Sequence, residues 1–399
     1  MKTKTSLKRA GLLAAALLLL CCHFATARSN SDTSSIWINP FICITASDID
    51  ALNSCFEEST ASLKTRHLEI KNQLLTVSPT DEKTVCGLLL ERFRLDEELQ
   101  TLETEHQLKS IKLRYRKGVE IVKMLYEKIL SMDHHFSSLK VQQNLLKISN
   151  PHHYPEFKEA RTAMEEKLKR KYNFALPTLF QSNPFLSAAF SMIGMVIGGG
   201  EEKDKKESMD RVACILDFTV RMYNDLNVIY YETGYLRDAN LTLKKDCEAL
   251  FSDCARQVGY TITLEGCRQS DDWERLYSLL DNLVAKALGE TAASQGFPSQ
   301  PDTKLLLKAE TNLQFAIDRV VQFINRYSDF VNQGNEYYKK FAKIADSYEN
   351  EKSCTNVLPD EFRQLKTDID QTLEKFNSAY RMPEVQGSKL KDMLYGTID

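Results

Sequence analysis

The sequence predicts an all-α fold: an elongated bundle of long antiparallel helices with coiled-coil-like seams, stapled by disulfides. Three observations lead there. Gly and Pro number 15 and 10 in 399 residues, about half of ordinary usage, so few turns are encoded and long elements follow. Apolar residues recur at alternating spacings of four and three over stretches much longer than an ordinary globular helix. Ten cysteines in a chain that opens with an export signature point to an oxidising compartment. With 43% hydrophobic and 27% charged residues, the chain has material for a substantial core and is not compositionally disordered.

The first element is a targeting segment. Lys2, Lys4, Lys8 and Arg9 precede an apolar run from Ala10 to Cys22, and Ala25-Thr26-Ala27 offers small residues where a signal peptidase cuts. Residues 1–27 therefore read as a signal peptide cleaved near Ala27, with a hydrophobic run too short for a spanning helix. The predicted localisation is export, to a periplasm, a cell surface or the medium. Cleavage takes four basic residues from 52, against 55 acidic ones, and the acidic mature chain gives no support to nucleic-acid binding.

Residues 28–46 form an extended N-terminal segment. A helix then starts at Ser47, where Asp48 and Asp50 complement its dipole, and runs to about Val77. Ser78-Pro79-Thr80-Asp81 breaks it. A second helical stretch follows from about Glu82 to Ile148, with Tyr115, Val119, Val122, Tyr126, Ile129, Asp133 and Phe136 forming a seam that only Asp133 interrupts. Asn150 to Pro155, with two prolines, ends it, and a charged helix from Glu156 to about Tyr172 closes a helical hairpin region spanning 47–173.

The segment 174–200 carries no charged residue. Within it Asn183 caps, Pro184 suits a first helical turn, and Gly198-Gly199-Gly200 stops the helix. Glu201 to Glu207 reads as an exposed charged loop. In the central region, 201–291, a helix from Met209 to Tyr231 has two apolar stripes, Val212, Leu216, Thr219, Tyr223, Leu226 and Tyr230 on one face and Ile215, Phe218, Met222 and Ile229 on the other. That places it between neighbours at the centre of the bundle. After Gly234 come a helix from about Asp238 to Val258, a short extended piece at Tyr260 to Leu264 and a helix from about Asp271 to Leu288.

Residues 292–303 contain Gly296, Pro298 and Pro301 and read as a linker. The C-terminal region, 304–399, holds the clearest period. Leu313, Ile317, Val320, Ile324, Tyr327, Val331, Gly334, Tyr338, Phe341, Ala345 and Tyr348 keep the four-three alternation through a helix from about Asp302 to Tyr348. Gly334 marks a close helix crossing or a kink. A helix from Pro359 to about Tyr380 and a polar tail complete the chain.

Eight cysteines follow the cleavage point: Cys43, Cys55, Cys86, Cys214, Cys247, Cys254, Cys267 and Cys354. An even number in an exported chain suggests disulfides, with Cys43–Cys55 and Cys254–Cys267 the pairs nearest in sequence. None has the C-x-x-C spacing of a zinc or redox site. Catalytic signatures are absent: no H-E-x-x-H, P-loop, G-x-S-x-G or G-x-G-x-x-G is present. One constellation suggests a metal, because the turn at Pro151 brings His152 and His153 toward Asp133, His134 and His135. Adjacent histidines on a helix diverge by about 100°, however, so at most one of His134 and His135 faces a given site. Asn240-Leu241-Thr242 is a glycosylation sequon, and Lys167 to Lys171 a small basic cluster.

These features predict an exported, non-enzymatic helical binding or scaffold protein acting through protein-protein contacts outside the cytoplasm, with no cofactor and no nucleic-acid partner. Its helical seams are completed by a protein partner or by self-association. The alternative is a membrane-active protein that inserts segment 174–200 through Phe185, Leu186, Phe190, Met192, Ile193, Met195, Val196 and Ile197. Its plan resembles that of exported α-helical pore-forming proteins, which carry an apolar tongue on long helices. A metal-dependent enzyme built on His134, His135, His152 and His153 is the third expectation.

Overall fold

The computed structural model describes residues 37–78, 80–137, 202–289, 303–349 and 360–396. The expected signal peptide, the expected hairpin beyond Ser137, the apolar segment 174–200 and residues 292–302 of the expected linker lie outside them. The described residues form eight α-helices and no strand: α1 (Asn39–Thr76), α2 (Glu82–Ser137), α3 (Glu202–Gln257), α4 (Leu264–Ser270), α5 (Trp273–Ala287), α6 (Thr303–Glu349), α7 (Asp360–Tyr380) and α8 (Glu384–Tyr395). They divide into two compact units. The first takes residues 1–127, 244–328 and 381–399, the second 128–243 and 329–380, so the boundaries fall inside α2, α3 and α6.

In the first unit α1 and α2 run antiparallel. Asp48 reaches Lys117 at 2.9 Å, Phe56 stacks on His106 with ring centroids 4.2 Å apart, and Arg66 pairs with Glu91 at 2.8 Å. The chain reverses at the expected break, where Asp81 Oδ1 accepts from the Thr84 amide and caps α2. Further along α2 the seam turns fully inward: Tyr115, Val119, Val122 and Tyr126 are buried against α3 and α6. The Tyr115 hydroxyl donates to the Cys254 carbonyl at 2.8 Å, and the Tyr126 hydroxyl lies 2.9 Å from Glu248 and 2.8 Å from Glu265. Arg319 and Arg326 of α6 pair with Asp253 and Asp246 of α3.

In the second unit α3 meets α6 through Glu232 with Lys340, the Thr233 and Tyr337 hydroxyls, and Asp225 with Tyr348. All eleven positions of the α6 period are buried, from Leu313 in the first unit to Tyr348 in the second. Gly334 is a close crossing: a Cβ there would lie 2.6 Å from the Phe376 ring of α7.

Several expectations are corrected. Residues 39–46 are helical rather than extended, because Pro40 fits a first helical turn and Ile38 is buried ahead of it. Residues 202–207 are helical rather than a loop, as strong helix formers with Glu and Lys four apart allow. Gly234 does not end a helix. It sits inside the continuous α3, where tertiary packing outweighs the roughly 1 kcal/mol cost of a helical glycine. Residues 260–263 form no strand, and Thr263 instead caps the short α4, ended by Asp271 in the left-handed region at φ 52°. The polar tail is the helix α8, with Leu390, Met393 and Leu394 buried. Gln386 donates to Asn39 at 2.6 Å, and Arg114 caps the far end by donating to the Tyr395 carbonyl at 2.8 Å.

The staples are corrected too, for no disulfide joins cysteines among the described residues. Cys43 and Cys55 lie on one helix about 18 Å apart by its rise, far beyond bridging distance. Cys254 and Cys267 are both buried but engage different neighbours. The Cys254 thiol points to the Ala316 carbonyl at 3.8 Å, while Cys267 is hydrogen-bonded to Tyr260. Cys214 and Cys354 fall where the structure describes no side chain.

Candidate functional site

The predicted site residues that fall among the described ones can be followed to their surroundings. His135, near the described end of α2, sits among Tyr338, Phe376 and Tyr380 with ring centroids 5.8, 5.5 and 5.9 Å away. Its Nε2 lies 2.7 Å from the Tyr338 hydroxyl. Burial among those rings pushes its pKa below the usual 6.5. The structure therefore brings His135 to tyrosines. The His134 side chain and residues His152 and His153 lie outside the description, and no group of three or more His, Cys, Asp or Glu side chains among the described residues is placed to hold a metal.

Cys247, Cys254 and Cys267 are all buried, and burial raises each thiol, that of Cys254 to about 12. Such thiols stay protonated and inert. The sequon fares no better as a surface site. Asn240 is 1% exposed in the middle of α3, and its amide donates to the Ile129 carbonyl at 3.2 Å. The membrane-contact candidates from Phe185 to Ile197 lie outside the described residues, and no helix among those described is long and apolar enough to cross a membrane.

The surface feature that remains belongs to the distal α1–α2 hairpin. Its inner contact is already filled. Ile70 and Leu95 are buried, Leu63, Leu74, Val85 and Leu88 are half-buried beside them, and the edges are pinned by Arg66 with Glu91 and His67 with Asp96. Yet large apolar side chains also point away from the contact. On α1 these are Leu68 and Leu75, and on α2 they are Leu89, Leu90 and Phe93 at 50, 64 and 69% exposure, with Cys86 exposed beside them. The α2 set is spaced i, i+3, i+4, i+7, which puts all four on one face of the helix, opposite the inner seam. Elsewhere, Val228, Tyr231 and Tyr235 form a shorter exposed row on α3 in the second unit.

No protein-family model, no curated protein and no solved structure matches the chain. The site rests on its geometry. It presents an apolar ridge of the kind that an amphipathic helix offers to a partner. The apolar period read in the α2 sequence began at Tyr115, well beyond this ridge. The signal lay in Leu88-Leu89-Leu90: three consecutive leucines spread over about 200° of a helix, so one seam cannot take them all.

Proposed function

We propose that the protein is an exported, non-enzymatic helical binding or scaffold protein that acts through protein-protein contacts outside the cytoplasm. The observation that carries this reading is the outward ridge Cys86-Leu89-Leu90-Phe93, held in solvent by a helix pair whose inner seam is already occupied. A second apolar face costs solubility and adds nothing to the hairpin's own packing, so its use is to be covered by another protein. The surrounding helices provide a stiff support on which a ridge of this kind is presented.

The test compares immobilised mature chain, residues 28–399, with a Leu90→Glu, Phe93→Glu variant of unchanged helicity. Proteins from the source's extracellular fraction that are retained by the first and lost by the second support the reading, and equal retention overturns it. The uncharged run 174–200 favours a second reading, membrane insertion. Flotation with liposomes that an Ala189→Asp, Met192→Asp variant abolishes, and the ridge variant does not, would replace the first reading with that one.

A further inference from the structure

We infer that the second unit holds a monovalent cation between α2 and α3, bound by the Asp133 carboxylate and the Asn240 side-chain carbonyl. Asp133 is the one residue that interrupts the apolar period of α2, and Asn240 is 1% exposed in the middle of α3. The two meet at a single backbone group. The Asn240 amide donates to the Ile129 carbonyl at 3.2 Å, and in the continuous helix α2 the same carbonyl accepts from the Asp133 backbone N–H one turn on. A helical side chain leans toward the N-terminus of its own helix, so the Asp133 carboxylate is directed back over that turn, toward Asn240.

Both side chains end in oxygens that no described group satisfies. Asp133 Oδ1 and Asn240 Oδ1 are buried, and neither accepts a hydrogen bond among the described residues. Buried acceptors left in this way are rare and costly. A carboxylate and an amide carbonyl cannot satisfy one another, since both only accept. A species that presents positive charge or donated protons to oxygen must therefore lie between them. No described Lys, Arg or His side chain donates to Asp133 Oδ1. A water would supply the donors but leave the carboxylate's charge unbalanced inside the unit. A cation answers both needs. One carboxylate beside a neutral carbonyl balances one positive charge rather than two, and a set of oxygens alone suits a hard ion such as sodium.

Thermal melts of residues 28–399 at constant ionic strength test the site. Replacing about 150 mM tetramethylammonium chloride by NaCl should raise the melting temperature by about 3–6 °C, the shift that a dissociation constant of about 10 mM implies. Asp133→Asn keeps the shape, loses the charge and should melt at the same temperature in both salts. Asp133→Leu, which restores the apolar period and needs no ligand to fold, should be equally indifferent. Asp370→Asn, at an exposed position of α7, should keep the full shift. Sodium magnetic resonance gives a readout apart from stability: the sodium line should broaden with the wild type and stay sharp with Asp133→Asn. A wild type that melts alike in both salts, or leaves the sodium line sharp, holds a water or a proton between the two oxygens, and the inference is overturned. A shift that persists in both Asp133 variants, or vanishes with Asp370→Asn, is a general salt effect and overturns it equally.

Discussion

Two glycines in long helices show how little the residue type says without its surroundings. At Gly334 a Cβ would meet the Phe376 ring at 2.6 Å, and at Gly234 it would meet nothing within 4 Å. Gly334→Ala should therefore destabilise the protein by about 1–2 kcal/mol, overpacking outweighing the gain in helix propensity. Gly234→Ala should stabilise it by about 0.5–1 kcal/mol. Urea unfolding of the two variants checks both signs at once. His135 supplies a pH dependence. Its folded pKa lies below 6.5, so as pH falls through that value the unfolded chain takes up a proton that the folded chain resists, and stability drops. Above it neither state is charged and the contribution is flat. Chemical unfolding at pH 7.5 and 5.5 should show the loss in wild type and a smaller one in His135→Gln.

At the scale of elements, what the sequence disclosed depended on whether one face or several were in use. The α6 period was legible at every position, because a single apolar stripe on a long helix has one explanation. Val320→Asp should cost about 3–5 kcal/mol, the penalty of an unpaired buried charge, whereas Asp at the exposed neighbour Gln322 should cost little, as thermal melts of the two would show. The first turn of α1, the continuity of α3 through Gly234 and the short α4 were not legible, since each is decided by contacts from distant elements rather than by local preference. The same holds for α8, whose three buried side chains sit among polar neighbours in a 12-residue helix. The α2 ridge was hidden for a different reason: a solvent-facing apolar stripe and a core stripe look the same in one dimension.

For the whole molecule, all-α architecture followed from composition and period, whereas the disulfides expected from cysteine number and export are not formed among the described cysteines. An even count constrains pairing only where sulfurs can approach, and helices hold Cys43 from Cys55 and bury Cys247, Cys254 and Cys267 against other partners. A thiol reagent on the native protein should accordingly label Cys55 and Cys86 within minutes and Cys247, Cys254 and Cys267 only after denaturant is added, as peptide mapping would reveal. The docking of α8 has a consequence for biogenesis. The first unit is assembled from the start of α1, the middle of the chain and α8, with Asn39 held by Gln386 and the Tyr395 carbonyl held by Arg114. A ribosome adding about 5–20 residues per second must traverse 347 positions from Asn39 to Gln386, and 281 from Arg114 to Tyr395, before the unit can close. Closure of this unit therefore comes late in synthesis, after most of the described residues have been made.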